Sequence, residues 1–440
     1  MRKPLTSALF ILSAALSAQV TVSLSLKEAM ELAAKQSYMV QGSELETQKA
    51  EAKIKEVMAY GLPQVSATGT LNNYLKVPTQ VIPNFFGDDP ETIEVQFGIP
   101  WSLGGAIQLN QLIFDGSYII GLKATHELRE QSEKQLEQTQ LTARVQAAKA
   151  YLGVLAAEEG ARLVGEGLPI VQQSQTQANA MVEQGLMEST DADRLTVQVN
   201  ETENQVRTLK QQAQVARVFL ALVLGLPQGT TINLTDSLQP LLDEPTDADL
   251  ANMPFDPSKH VEEEVASSNL RVSELQVRNA KAAYLPKLNG FINYQQQYSN
   301  TELAPDNGSF WFPSSMWGLS LNVPIFSSNM RKKQVEQSQL TAKQAEVNLQ
   351  ATEQRLLTDY LRQQALLIAS QQNYETGKVS LALSKRIFEQ TSVKFSEGVA
   401  SSFELTQEQS TYLAAQQTYI QRIVDLLKAR VDMHEALDLY

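Results

Sequence analysis

The chain has 440 residues, 43% hydrophobic and 19% charged, with no cysteine and a net charge of −13. These figures exclude a disordered acidic tail, a disulfide framework, a thiolate nucleophile and a cysteine-held metal. The negative balance argues against a nucleic-acid partner, because gripping phosphates needs a basic face.

Residues 1–18 have the pattern of a secretory signal peptide. Arg2 and Lys3 precede an apolar run from Leu5 to Leu16, and small residues follow at Ser17 and Ala18. The run is shorter than the ~20 apolar residues that a spanning helix needs. No later stretch reaches that length. The mature chain is therefore expected to be exported, either as a soluble protein or as a membrane β-barrel, whose strands escape hydropathy scans.

Residues 27–60 read as one opening helix. It stops at Tyr60-Gly61-Leu62-Pro63, since proline cannot donate to the helical ladder and restrains the residue before it. Two alternating strands are predicted next. The first sets Val65, Ala67, Gly69 and Leu71 against Gln64, Ser66, Thr68 and Thr70; the second sets Trp101, Leu103, Ile107, Leu109 and Ile113 against Ser102, Gln108 and Asn110. Such strands fit either a soluble sheet on a core or a barrel with lipid on one side and water on the other. Strands of ~9–11 residues suit a membrane. Aromatics near the strand ends (Phe85, Phe86, Trp101, Phe310, Trp311, Phe312, Trp317) suit interfacial girdles.

From Ser117 to Gly185 apolar residues recur at three and four positions, as at Leu141, Val145, Ala148, Leu152 and Leu155. About 70 helical residues make an arm of ~105 Å, too long for a globular domain, so coiled-coil packing is predicted. Gly165-Glu166-Gly167-Leu168-Pro169 predicts a kink or loosened turn within it. Gly185 is the predicted turn-back point, because glycine tolerates the positive φ of a helix end. Asp191 follows six positions later, and the return helix ends at Leu224-Gly225. Residues 226–260, rich in Pro, Asp and Thr, read as a linker without helical pattern.

The second half repeats the first. A helix at 261–285 stops at Tyr284-Leu285-Pro286. Strands follow with Leu288, Gly290, Ile292 and Tyr294 on one face (Phe291 is an exception), then Trp317, Leu319, Leu321, Val323 and Ile325, ending at Ile325-Phe326. An arm carries Ala351, Leu356, Tyr360, Ala365 and Ile368, with Gly377 as its candidate kink. Gly398 turns the chain, Glu404 follows six positions later, and the end lies at Leu437-Asp438. Phe114 to Gly185 spans 71 residues and Phe326 to Gly398 spans 72; Gly185 to Gly225 and Gly398 to Asp438 each span 40. Only the stretch from Pro to Phe differs, 51 residues against 40, which predicts loops there. Four strands cannot close a membrane barrel, which needs about eight or more, so the chain must assemble with itself.

Tyr-(Gly)-Leu-Pro before a strand, Ile-Phe before a long helix, and glycine six positions before an acid each occur twice, in order. This arrangement resembles the TolC-like outer-membrane efflux protein family across residues 19–440. The resemblance implies an α+β membrane protein: a trimeric β-barrel with four strands per protomer, continued by a long antiparallel α-helical coiled-coil barrel and built from two tandem repeats. It places a signal peptide at 1–18, the first repeat at 19–225, a linker at 226–260 and the second repeat at 261–440. It implies a Gram-negative outer-membrane exit channel reaching into the periplasm, working with a periplasmic adaptor (membrane fusion protein) and an inner-membrane pump, in outer-membrane lipid and without a cofactor. Carried over by position, Gly185 and Gly398 are the tip turns that dock the adaptor, and Thr190, Asp191 and Glu404 belong to the periplasmic aperture. Some members carry an arginine two positions after the second glycine and an acid three after the ring acid; this chain has Ala400 and Gln407 there.

An enzyme is disfavoured. His126, His260 and His434 are scattered without metal spacing, and there is no GxSxG or Walker loop. Asp88-Asp89 and Glu262-Glu263-Glu264 read as solvated or helix-start charges. A type I secretion duct shares the fold and stays open as an alternative, as does a periplasmic coiled-coil adaptor.

Overall fold

The computed structural model describes residues 21–85, 87, 91–243, 247–305 and 311–440. The expected signal peptide at 1–18, Phe86, Asp88-Asp89 and Phe310 lie outside the described residues. In chain order the elements are β1 (Thr21–Leu24), α1 (Leu26–Gln36), α2 (Tyr38–Ala59), β2 (Gln64–Asn73), β3 (Thr79–Pro83), β4 (Thr92–Gln96), β5 (Trp101–Asp115), α3 (Gly116–Glu183) and α4 (Ser189–Val223). They continue with β6 (Thr231–Leu234), α5 (Leu238–Leu242), α6 (Asp247–Ala251), a 3-10 turn (Pro257–Lys259), α7 (Val261–Ala282), β7 (Lys287–Asn300), β8 (Trp311–Asn322), α8 (Met330–Ser396) and α9 (Ser402–Ala436). One order occurs twice: opening helix, two long strands, a helix of 68 or 67 residues, and a return helix of 35. The chain divides into two compact units that cut across this order. One unit, chiefly helical, contains the chain up to Leu45, residues 134–264 and residues 351–440; the other holds residues 46–133 and 265–350.

The second unit carries a four-stranded antiparallel sheet in the order β2-β5-β7-β8. Its register puts Val65 opposite Leu109, Ala67 opposite Ile107, Ile107 opposite Tyr294, Leu109 opposite Ile292, and Ile292 opposite Trp317. Because side chains alternate along a strand, these residues share one face. Thr68, Ala106, Gln295 and Ser314 are paired in the same way on the other. The apolar face is bare: Val65 is 66% exposed, Trp317 77% and Leu319 63%. The out-of-pattern Phe291 sits on the polar face over Gly318, where a Cβ would lie 2.8 Å from the Phe291 ring. The surplus residues in the first repeat, predicted as loop, form the β3–β4 hairpin instead, with Thr79 opposite Gln96 and Pro83 opposite Thr92. The fourth long strand stops at Asn322, short of the expected Ile325-Phe326, and both of those side chains are almost fully exposed.

In the helical unit β1 pairs with β6 in parallel, so the predicted linker contains a strand and short helices. The single opening helix expected at 27–60 is two. Ser37 ends α1 in an extended conformation, and its hydroxyl accepts the Val40 amide. The break lies under the end of α4. The Gln36 amide donates to Leu224 O at 3.3 Å, and a Cβ on Gly225 would meet Gln36 O at 2.4 Å. Gly225 also has φ +69, so it is fixed by both conformation and space.

All five residues of the predicted first-arm stripe, from Leu141 to Leu155, are buried. In the second arm the buried stripe is Leu356, Tyr360, Leu367 and Tyr374; the predicted Leu356 and Tyr360 belong to it, whereas Ala351, Ala365 and Ile368 are exposed. The arm α3 passes through Gly165–Pro169 without a break, as α8 does through Gly377. One apolar cluster includes Tyr151, Leu220, Tyr374 and Ile423. The Tyr151 hydroxyl lies 3.0 Å from Leu24 O and 3.1 Å from Asp236 Oδ2, and Asp236 Oδ2 also accepts the Leu26 amide at 2.6 Å. Burial pushes this hydroxyl up to about 12. Arg430 is buried too, and its guanidinium donates to Leu241 O and Leu242 O, satisfying carbonyls at the end of α5.

Candidate functional site

Both helical hairpins turn in the helical unit, and both turns are built alike. At the end of α3 the Leu186 amide donates to Met181 O at 2.9 Å and the Gly185 amide to Val182 O at 3.0 Å. At the end of α8 the Val399 amide donates to Lys394 O at 2.8 Å and the Gly398 amide to Phe395 O at 3.0 Å. These paired bonds are a Schellman motif, which requires the left-handed region at its penultimate residue. Gly185 has φ +68 and Gly398 φ +74. A Cβ on either would meet nothing within 4 Å, so backbone conformation alone demands glycine. Leu186 and Val399, next in each turn, are 73% and 77% exposed.

Asp191 and Glu404 are each the third residue of their helix. There a carboxylate favours the positive end of the helix dipole. Their surroundings differ. Glu404 projects into solvent, while its own amide donates to Ser401 Oγ at 3.1 Å. Asp191 Oδ1 accepts from the buried Ser402 hydroxyl at 2.6 Å and lies 3.8 Å from Arg194 Nη1. The first turn of α4 is thus tied to the first turn of α9. A second tie runs from Gln177 Nε2 to Ser396 O at 2.9 Å, between the ends of α3 and α8. Further along, buried Gln409 donates to Thr202 Oγ1 at 3.1 Å. Thr190 is exposed, with its hydroxyl 3.4 Å from Glu188 Oε2.

Below the turns a compact apolar cluster joins all four helices through Ala178, Leu195, Phe388, Phe395, Leu405 and Tyr412, with Phe388 stacked on Tyr412 at 5.5 Å. Beside it, between α4 and α9, lies an open groove of about 450 Å³ lined by Thr190, Asp193, Arg194, Gln198, Glu201, Thr406 and Gln407. Charge at this end is acidic: Glu183, Glu188, Asp191, Asp193, Glu397, Glu404 and Glu408 stand against Arg194 and Lys394.

The structure therefore brings Asp191 beside the start of α9 and gives Gly185 and Gly398 the same role in two turns. Sequence reading missed Ser402 and Arg194. Ser401 caps α9 in a Ser-x-x-Glu pattern; Ser402 carries no local signal, because its partner lies 211 residues away. Among the described residues no group of three His, Asp or Glu side chains could hold a metal ion.

The sequence matches the family model described as outer membrane efflux protein over residues 29–226 and 264–437. The chain belongs to that family. Solved structures share the fold of this outer-membrane efflux protein. A membrane protein from Pseudomonas aeruginosa is similar with a TM-score of 0.73 and 16% identity, over 94% of this chain and 93% of that one. The Campylobacter jejuni CmeC outer membrane channel gives 0.70 and 16%, over 94% and 85%. The open state of the Neisseria gonorrhoeae MtrE outer membrane channel gives 0.65 and 15%, over 94% and 88%. No curated protein sequence matches significantly. Among the described residues of this efflux protein no helix is long and apolar enough to cross a membrane.

Proposed function

We propose that three copies of this chain close a barrel in the outer membrane of a Gram-negative bacterium and form a helical tunnel into the periplasm. There the chain is the exit channel of a tripartite efflux system. The observation that carries this reading is the sheet. One face is apolar and bare, the other is lined by Ser, Thr, Asn and Gln, and β2 and β8 are its two edge strands. An apolar face left bare is disfavoured in water, and open strand edges invite pairing. Both are satisfied when β8 of one copy meets β2 of the next in lipid, with the polar face lining a water path.

In this reading the turns at Gly185 and Gly398 meet the periplasmic adaptor, and through it the inner-membrane pump. Thr190, Asp191 and Glu404 lie at the aperture. Repeated about a threefold axis, their carboxylates form rings that favour cations. The Asp191–Ser402 and Gln177–Ser396 bonds hold the two hairpins of one copy together, in a chain that has Ala400 where some relatives have arginine. The relatives from Campylobacter and Neisseria, described as outer membrane channels, support the channel role. The chain performs no covalent step, and the pump supplies the energy.

The test is ion current through purified mature protein in a planar bilayer, wild type beside Glu404→Ser. Cation-preferring steps that enlarge or lose selectivity in the variant support a tip-gated channel. A protein that stays soluble without detergent and never inserts would overturn it.

A further inference from the structure

Four helix ends gather at one end of the sheet. The Tyr118 hydroxyl donates to Met58 O at 3.2 Å, linking the start of α3 to the end of α2. Gln111 Nε2 donates to Gly61 O at 2.7 Å, and a Cβ on Gly116 would meet Leu285 Cδ1 at 2.5 Å, beside the end of α7. Asn322, opposite Lys287, leads within eight residues to α8. The last two turns of α2 and α7 and the first two of α3 and α8 form one layer in which the chain's charge is inverted. Its three acids are each already held by a lysine: Glu56 by Lys53 at 2.9 Å, Asp115 by Lys287 at 2.7 Å and Glu336 by Lys333 at 2.7 Å. Among the described residues six further cations form no close ion pair: Lys55, Lys123, Arg278, Lys281, Arg331 and Lys332, the last only near Glu336. All are exposed except Arg331, which is half-buried.

This positive layer on a chain of net charge −13 coincides with a band of bare apolar side chains. Ile325 is 92% exposed and Phe326 85%, with Tyr60 and Tyr284 also exposed. Aromatic rings beside long cationic side chains are what a headgroup region accommodates: rings at the boundary, ammonium and guanidinium groups reaching the phosphates. Resting on the membrane reading above, we propose that this collar binds the anionic headgroups of phospholipids in the bilayer leaflet at the helical end of the sheet. The six cations contact lipid phosphate, and the Ile325-Phe326 loop sits among the upper acyl carbons. The collar thereby fixes how deep the sheet sits. The occupant is chosen by charge complementarity and by continuity with the bare face of the sheet.

The mature protein in neutral detergent is titrated with dioleoyl phosphatidylglycerol or dioleoyl phosphatidylcholine, and bound lipid is counted by native mass spectrometry. The expected result is tighter binding of phosphatidylglycerol. Lys281→Gln, Arg331→Gln and Lys332→Gln combined should weaken it by on the order of 100-fold, roughly fivefold for each charge removed near the headgroups. Lys210→Gln, Lys394→Gln and Lys428→Gln, which remove the same charge from the helical unit, should leave it unchanged. Equal affinity for the two lipids, or equal loss in both triple variants, overturns the proposal while the channel currents stand. A protein that needs no detergent overturns the membrane reading and this proposal with it.

Discussion

Replacing Ser402 by alanine removes the hydroxyl that donates to Asp191 Oδ1 at 2.6 Å. That length belongs to charge-assisted bonds, whose net contribution is about 1.5–3 kcal/mol. The Asp191 side chain is 36% exposed, so water can solvate the freed carboxylate, which places the loss near the lower bound. About 1.5 kcal/mol is roughly a tenfold change in an equilibrium constant. The assay is a double-mutant cycle with Ser402→Ala, Asp191→Ala and the pair, read both as unfolding free energy and as open probability in a planar bilayer. We expect a coupling of about 1–1.5 kcal/mol and openings up to about tenfold more frequent in each single variant. The Gln177–Ser396 and Gln409–Thr202 bonds remain and should keep the pair folded. Additive effects within about 0.4 kcal/mol, with unchanged opening, would show that the contact holds nothing shut.

Gly185→Ala should cost about 1–2 kcal/mol, the penalty for an L-residue in the left-handed region, because its Cβ meets open space. Gly225→Ala should cost several kcal/mol more, since its Cβ would also strike a backbone oxygen of Gln36; equal melting temperatures for the two variants would refute the close approach. Alkaline stability should depend on Tyr151. Its neutral form is the one the fold holds, so that stability is complete below the ordinary tyrosine value of about 10 and is lost as pH rises toward about 12. Tyr151→Phe should lose this component of an alkaline unfolding curve, and an unchanged curve would assign it elsewhere. Leu319→Lys on the bare face should cost about 2–4 kcal/mol in lipid, while Ser320→Lys on the polar face should be tolerated, as judged by unfolding from phospholipid vesicles; equal costs would mean the faces are misassigned.

Periodicity made much of this architecture legible. Alternation at Val65–Leu71 and Trp317–Leu321 assigned faces that the strand register reproduces, because a pleated strand leaves side chains no third direction. Two glycines at the tips were readable because a positive φ limits which residue can stand there. What escaped depended on partners distant in sequence. At Ser37 the only local signal is a serine able to cap a helix start; the break forms where α4 ends against Gln36 and Ser37. The β3–β4 hairpin hid in a stretch read as loop because its strands are five residues long and mostly exposed. The second-arm stripe was followed correctly through Leu356 and Tyr360 and then lost, because Ile368 is apolar yet exposed, while Leu367 beside it and Tyr374, bearing a hydroxyl, are buried. At the tip, the spacing of Asp191 and Glu404 from their glycines was legible, but not that Asp191 is bonded across the hairpins while Glu404 faces solvent.

The return helices end in a way that bears on how the polypeptide can be divided. Gly225, ending α4, lies on the Gln36–Ser37 junction of its own repeat. At the end of α9 a non-glycine residue, Asp438, takes φ +55, and its carboxylate accepts the Val261 amide at 3.1 Å, at the start of α7 in its own repeat. Each half of the chain is therefore fastened back to its own beginning by its last turn. Asp438 does this with a side chain that glycine lacks. Two separately expressed fragments, divided within the connector after Gly225, would each keep this fastening. The fourteen-residue ladder of β5 along β7 would give them a specific edge on which to reassemble.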